Sequence, residues 1–136
     1  MIPEPLRWSA TLGRVFENLL ILGSATNEGY GSAPGDIRTF DVRTGQLVWV
    51  FHTIPHPGEC GYETWPKDAW KRVGGVNCWS EISADEKHGI VYVPTASPTY
   101  NSYGADRRGA NLFGDCLLGP PAATLRRFTV AYWAQH

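Results

Sequence analysis

Residues 37 to 49, IRTFDVRTGQLVW, leave the backbone few options. Ile37 to Val42 is rich in strand formers, and so is Gln46 to His52. Between them stands only Arg43-Thr44-Gly45, too short to do anything but reverse the chain. Glycine reaches positive φ without steric cost, so Gly45 is expected to sit at the reversal. The stretch therefore predicts an antiparallel hairpin. Asp41 stands where its carboxylate can accept hydrogen bonds from the turn amides. In the second strand Leu47, Trp49 and Phe51 are expected on one face, with Val48 and Val50 on the other. Trp49 offers a broad plate for packing between sheets, and its indole N–H needs an acceptor.

The same grammar recurs along the chain. Val15-Phe16 and Leu19 to Leu22 flank Glu17-Asn18, which predicts a second hairpin. Residues 24–36, rich in Gly, Ser, Asn and Pro, read as a loop. Residues 53–76 lack periodicity and read as a long structured loop with a short helical turn at Pro66 to Lys71; Tyr62, Trp65 and Trp70 argue against disorder. Cys78 to Ser83 and Ile90 to Pro94 read as strands around the polar turn Asp85 to Gly89. A further loop covers 96–110, and Asn111 to Leu118 is expected to open another strand. The 15 Gly and 10 Pro of this 136-residue chain suit such a turn-rich design. A unit of strand, turn, strand and long loop, met about twice at roughly 40 to 50 residues, is the repeat of a β-propeller blade. The predicted class is all-β, a partial propeller of two or three blades.

Composition closes several alternatives. Lys plus Arg is 12 and Asp plus Glu 13, a net charge of -1, which gives no footprint for nucleic acid. The sequence has no run of 18 apolar residues of the kind that spans a membrane. Cys60, Cys78 and Cys116 form no CxxC pair and read as neither a zinc site nor a disulfide framework. His52 and His56 have the i, i+4 spacing that binds zinc on a helix, but Pro55 and Pro57 beside His56 predict extended chain, so no metal site is expected there.

The unit from Thr39 to Trp49, with its D-x-x-T-G-x-x-x-W pattern, resembles the tryptophan-docking repeat of quinoprotein alcohol and sugar dehydrogenases. The ordered pieces GSAPGDIRTFD, FHTIPHPGE, GYETWPKDAWK, GGVNCW, KHGIVYVPT and NLFGDCLL resemble the same family over about residues 14–118. The resemblance implies an eight-bladed propeller holding pyrroloquinoline quinone (PQQ) and Ca2+. It implies Trp79 as the stacking floor of PQQ and Asn77 as a polar neighbour. Ser32 and Ala33 fall in the small-residue loop that runs by the PQQ carboxylates. Glu28 and Asn27 fall where the family places an oxygen ligand to calcium, and Thr95 near a second ligand position. The alternatives are core packing for Trp79, backbone-bonded loop polarity for Asn77, a plain inter-strand loop at Ser32-Ala33, and loop capping for Thr95.

The implied activity is oxidation of an alcohol or sugar with a quinone or cytochrome as electron acceptor, in the periplasm, although the opening MIPEPLRWSA reads as no export signal. The family's catalytic base is expected beyond this chain, so no catalytic residue is assigned, and the remaining blades would be required for turnover. The other function carried forward is a non-catalytic propeller segment serving as a scaffold or interaction surface. Residues 119–136 depart from the repeat, and a changed reading frame or truncation near Gly119 is the expectation for them.

Overall fold

The computed structural model of the chain describes residues 12–101 and 103–119. Four strands form the first sheet: β1 (Arg14–Phe16), β2 (Leu19–Leu22), β3 (Ile37–Asp41) and β4 (Leu47–Phe51). They lie in the order β1-β2-β3-β4 with every pairing antiparallel. Each strand pairs with its neighbour in sequence, the meander that a propeller blade requires.

Asp41 ties the two hairpins of this sheet together. Its Oδ1 accepts from the backbone N–H groups of Arg43 at 2.8 Å and Thr44 at 3.3 Å. Its Oδ2 accepts from Asn18 Nδ2 at 2.9 Å, in the β1–β2 turn, and from Arg43 Nη2 at 3.3 Å. Gly45 takes φ 70° and donates its N–H to the Asp41 carbonyl at 2.8 Å. The predicted turn and its carboxylate cap are both present.

The predicted alternation along β4 is corrected. Thr39 pairs with Trp49 and Phe40 with Leu47, so Val48 is an extra, bulged residue. A bulge resets the faces of a strand and sharpens its twist. Leu47 and Val48 are accordingly both about half exposed, and only Trp49, Val50 and Phe51 turn progressively into the core.

The second sheet contains β5 (Ser83–Asp85), β6 (Ile90–Pro94) and β7 (Leu117–Leu118), in that order and antiparallel. Ile90–Pro94 falls where the sequence places it. Two other predicted strands are corrected. The stretch expected from Cys78 to Ser83 pairs only from Ser83 onward. Asn111 to Leu118 is mostly turn: Asn111, Phe113 and Asp115 have φ of 48°, 80° and 49°, which no strand accommodates. The predicted tail, 119–136, lies outside the described residues except for Gly119.

One core joins the sheets. Ile21, Ile37 and Phe51 of the first meet Val91, Val93 and Leu118 of the second, and Phe51 packs edge-on to Phe113 with centroids 4.9 Å apart. Strand β1 lies against β5, and Arg14 pairs with Glu86 at 3.6 Å. The long loop after β4 is ordered: a 3-10 turn (Tyr62–Thr64) and helix α1 (Ala69–Arg72) bring Trp65, Ala69 and Val73 into this core. Trp65 Nε1 donates to the Leu112 carbonyl at 3.1 Å, which clips the loop to the second sheet.

The Arg43 side chain and the Arg43 N–H lower the Asp41 pKa from 3.8 to about 2. A depressed carboxylate contributes stability that is complete above its unfolded pKa and lost as pH falls through the folded one. Asp41→Ala is therefore expected to lower the thermal midpoint at neutral pH. The gap to the wild type should shrink between pH 4 and about pH 2, read by circular-dichroism melts across that range.

Candidate functional site

Three loops converge at one seam between the sheets: residues 32–36, 74–77 and 95–99. Pro34 and Gly75 form a parallel bridge, and Gly75 and Pro98 an antiparallel one. The Gly35 N–H donates to Gly75 O at 2.6 Å and the Gly75 N–H to Ala33 O at 3.1 Å. On the other side the N–H groups of Val76 and Thr99 donate to Ser97 O and Gly74 O, at 3.1 and 3.0 Å, and the Ala96 N–H donates to Asn77 O at 2.9 Å. The Gly74 N–H donates to Thr99 Oγ1 at 3.0 Å, and Ser32 Oγ lies 3.5 Å from the same hydroxyl.

Such close approach needs residues without side chains. A Cβ on Gly35 would stand 2.2 Å from Asn77 Cα, and one on Gly74 would stand 2.1 Å from Ser32 Oγ. Gly75 adopts φ 73° and Val76 φ 54°. A β-branched residue in the left-handed region is strained by about 1–3 kcal/mol, and such strain concentrates at functional sites. Val76 is fully buried, so packing on all sides holds it there.

Of the sequence-predicted residues, the seam brings together Ser32, Ala33 and Asn77. Asn77 is buried against Gly35 and donates from Nδ2 to Ser24 O, far along the chain, at 3.2 Å. Trp79 follows two residues later and is 54% exposed. Asn27 and Glu28 are exposed on the 24–36 loop, and among the described residues no hydrogen bond joins either one to the seam. Thr95 takes the capping role: its Oγ1 donates to Phe113 O at 2.5 Å and accepts from the Cys116 N–H at 3.2 Å.

Sequence reasoning missed a polar cluster beneath the seam. Ser24 Oγ donates to Asp36 O at 2.7 Å and accepts from Arg38 Nη1 at 3.0 Å, and Arg38 Nη2 lies 3.7 Å from Asp36 Oδ2. Both charged side chains are largely buried. The only signal in the sequence was a charged pair, Asp36 and Arg38, at the entry to a strand. The exposed rings of Tyr30 and Tyr100 also stack across two of the loops, 5.4 Å apart and 12° from parallel.

Residues 7–125 match the family model described as "PQQ: Glucose/ethanol/alcohol dehydrogenase, beta-propeller domain". The chain belongs to this PQQ dehydrogenase family. Relatives of this quinoprotein chain include lupanine 17-hydroxylase [cytochrome c] of Pseudomonas sp, 30% identical over 135 residues, covering 89% of this chain and 19% of the relative. Quinoprotein glucose dehydrogenase A of Acinetobacter calcoaceticus is 37% identical over 91 residues, covering 65% of this chain and 11% of the relative. The chain thus spans under a fifth of the length of either protein. The solved quinohemoprotein alcohol dehydrogenase ADHIIG from Pseudomonas putida HK5 superposes with a TM-score of 0.69 at 21% identity, over 84% of this chain and 18% of that one. The enzyme from Comamonas testosteroni gives 0.68 at 23% identity, over 82% of this chain and 18% of that one. These likenesses confirm the propeller fold, and the two sheets are parts of such a wheel.

Within this quinoprotein fold the seam should be far less tolerant than the hairpin turn. Gly45→Ala meets no atom within 4 Å and should cost only the left-handed penalty of about 1–2 kcal/mol. Gly35→Ala forces backbone against backbone and is expected to cost about 3 kcal/mol or more. Urea unfolding of the two variants side by side measures the difference.

Proposed function

We propose that this chain is a segment of a PQQ-dependent dehydrogenase that oxidises an alcohol or sugar, and that it supplies part of the cofactor's bed. The observation that carries the reading is Trp79, a large indole left about half exposed beside a buried, strained and glycine-lined seam. An aromatic of that size normally buries most of its surface. A flat, tricarboxylated quinone would stack on Trp79, Ser32 and Ala33 would give its carboxylates a small-residue loop to approach, and Asn77 would hold the seam closed.

PQQ, when bound, supplies the electron sink for hydride removal from the substrate carbon. The chain's own residues bind and orient. Trp79 offers the stacking face, the Gly35–Asn77 contact sets the height of the loop beside it, and the strained Val76 aims the backbone between them. A hard cation, Ca2+ or a lanthanide, suits the carboxylate of Glu28 and the amide oxygen of Asn27, both exposed and oxygen-bearing. Thr95 is left out of that ligand set, since its hydroxyl is engaged on both sides by the 113–116 turn. We place the electron acceptor among quinones and cytochromes, in line with the cytochrome c in the name of lupanine 17-hydroxylase and the quinone in that of a quinate/shikimate dehydrogenase of Acinetobacter baylyi, and propose a periplasmic location by family resemblance.

The chain also bears marks of sheets that should lie beside it. Trp49 Nε1 is buried with no hydrogen-bond partner among the described residues, and Val42, Leu47 and Val48 are each half exposed on the same outer hairpin. An unsatisfied buried N–H costs about 1–3 kcal/mol, and an adjoining blade would both satisfy it and cover the apolar side chains. The rival reading, a scaffold with no cofactor, accounts for the fold but leaves the Trp79 face and the Val76 strain without a use.

Addition of PQQ with Ca2+ to the chain is expected to quench tryptophan fluorescence saturably, and Trp79→Ala to abolish most of that response. Trp65→Phe, which changes a core ring, should retain it. Quenching that is identical in wild type and Trp79→Ala would rule out this stacking site.

A further inference from the structure

The segment after β4 reads His52-Thr53-Ile54-Pro55-His56-Pro57-Gly58-Glu59. Pro55 and Pro57 predict extended chain here. The structure corrects it. The chain folds back in a tight turn in which the Glu59 N–H donates to His56 O at 3.0 Å, and Gly58 supplies φ 89°. The imidazoles of His52 and His56 end face to face, centroids 3.8 Å apart and 7° from parallel. Glu59 closes the group: Oε1 lies 2.8 Å from His52 Nδ1, and Oε2 accepts the His56 N–H at 2.7 Å. One ligand atom from each of the three residues lies within 4.8 Å of the other two.

We propose that His52, His56 and Glu59 form a binding site for a divalent transition-metal ion of the zinc, cobalt, nickel or copper class, separate from the hard cation suggested for the cofactor. Two imidazole nitrogens and a carboxylate are a soft-to-borderline donor set that selects such ions over calcium. Burial works to raise the Glu59 pKa, but the His56 N–H and His52 outweigh it and hold the carboxylate below its ordinary value of 4.5.

Parallel rings send their lone pairs side by side. Convergence on one ion takes rotation of one imidazole about its Cβ–Cγ bond. The site has room for it: both histidines are only partly buried and Glu59 is exposed. The His56 ring also rests on Trp70, centroids 4.8 Å apart, which leaves His52 as the ring freer to turn. A metal here would pin the start of the long loop to the end of β4.

Co2+ is titrated into the chain in the presence of excess Ca2+ and followed by visible absorption. The expected result is an intense ligand-field band that saturates at one equivalent and is bleached by Zn2+. His56→Ala and Glu59→Gln should each weaken Co2+ at least about tenfold. His88→Ala, which removes the other histidine–carboxylate pair at Asp85, should leave the affinity unchanged. Circular dichroism of each variant distinguishes lost ligands from lost fold. A wild-type chain with no saturable band, or a folded His56→Ala variant that binds as tightly as wild type, overturns the site.

Discussion

A backbone-to-backbone contact, Gly35 against Asn77, holds the rest of this structure in register. The two chains meet so closely that no side chain fits between them: even a methyl group on Gly35 would overlap the Asn77 main chain. The reciprocal hydrogen bonds of the Gly35 and Gly75 N–H groups then lock the 32–36 loop of the first sheet to the entrance of the second. Loops this deep in a protein survive only if their polar groups are paired. Here the third loop, 95–99, supplies most of the remaining partners, and the Ser24, Asp36 and Arg38 cluster supports the seam from below.

That contact explains why strain is tolerated at Val76 and why Trp79 is presented rather than buried. With Gly74 and Gly75 pressed against Ser32 and Ser97, the chain has one route through the seam, and it takes Val76 through positive φ. The core on both sides over-determines this path, with Val76, Cys78 and Ile82 fully buried along it. Trp79 opens the short exposed stretch, 79–81, between the buried Cys78 and Ile82. Val76 and Asn77 bond to the 95–99 loop, and the strand expected from Cys78 begins only at Ser83.

The docking repeat works at the opposite edge of the blade. Asp41, Gly45 and Trp49 are commonly read together as one motif, but their roles here are separable. Asp41 and Gly45 are satisfied entirely within the sheet. Trp49 is not: its ring packs on the core while its N–H finds no acceptor among the described residues. The carboxylate and glycine build the blade, and the indole faces what should adjoin it.

Residues whose conformation depends on near neighbours were legible without coordinates. The β1–β2 hairpin, the Asp41-capped turn with Gly45 at positive φ and the strand Ile90–Pro94 follow from alternation, turn chemistry and β-branching within a few positions, and the chain's membership of a propeller family follows from their order. The Val48 bulge, the turn at 111–116, the Asp36–Arg38 pair and the folding of Glu59 back onto two histidines were not legible. Each depends on groups brought together from distant parts of the chain or on a backbone reversal that propensity does not encode. Local sequence dictates dihedral preferences, whereas close approach between loops forty residues apart is decided by which surfaces the core leaves adjacent, and that is a property of the packed molecule alone.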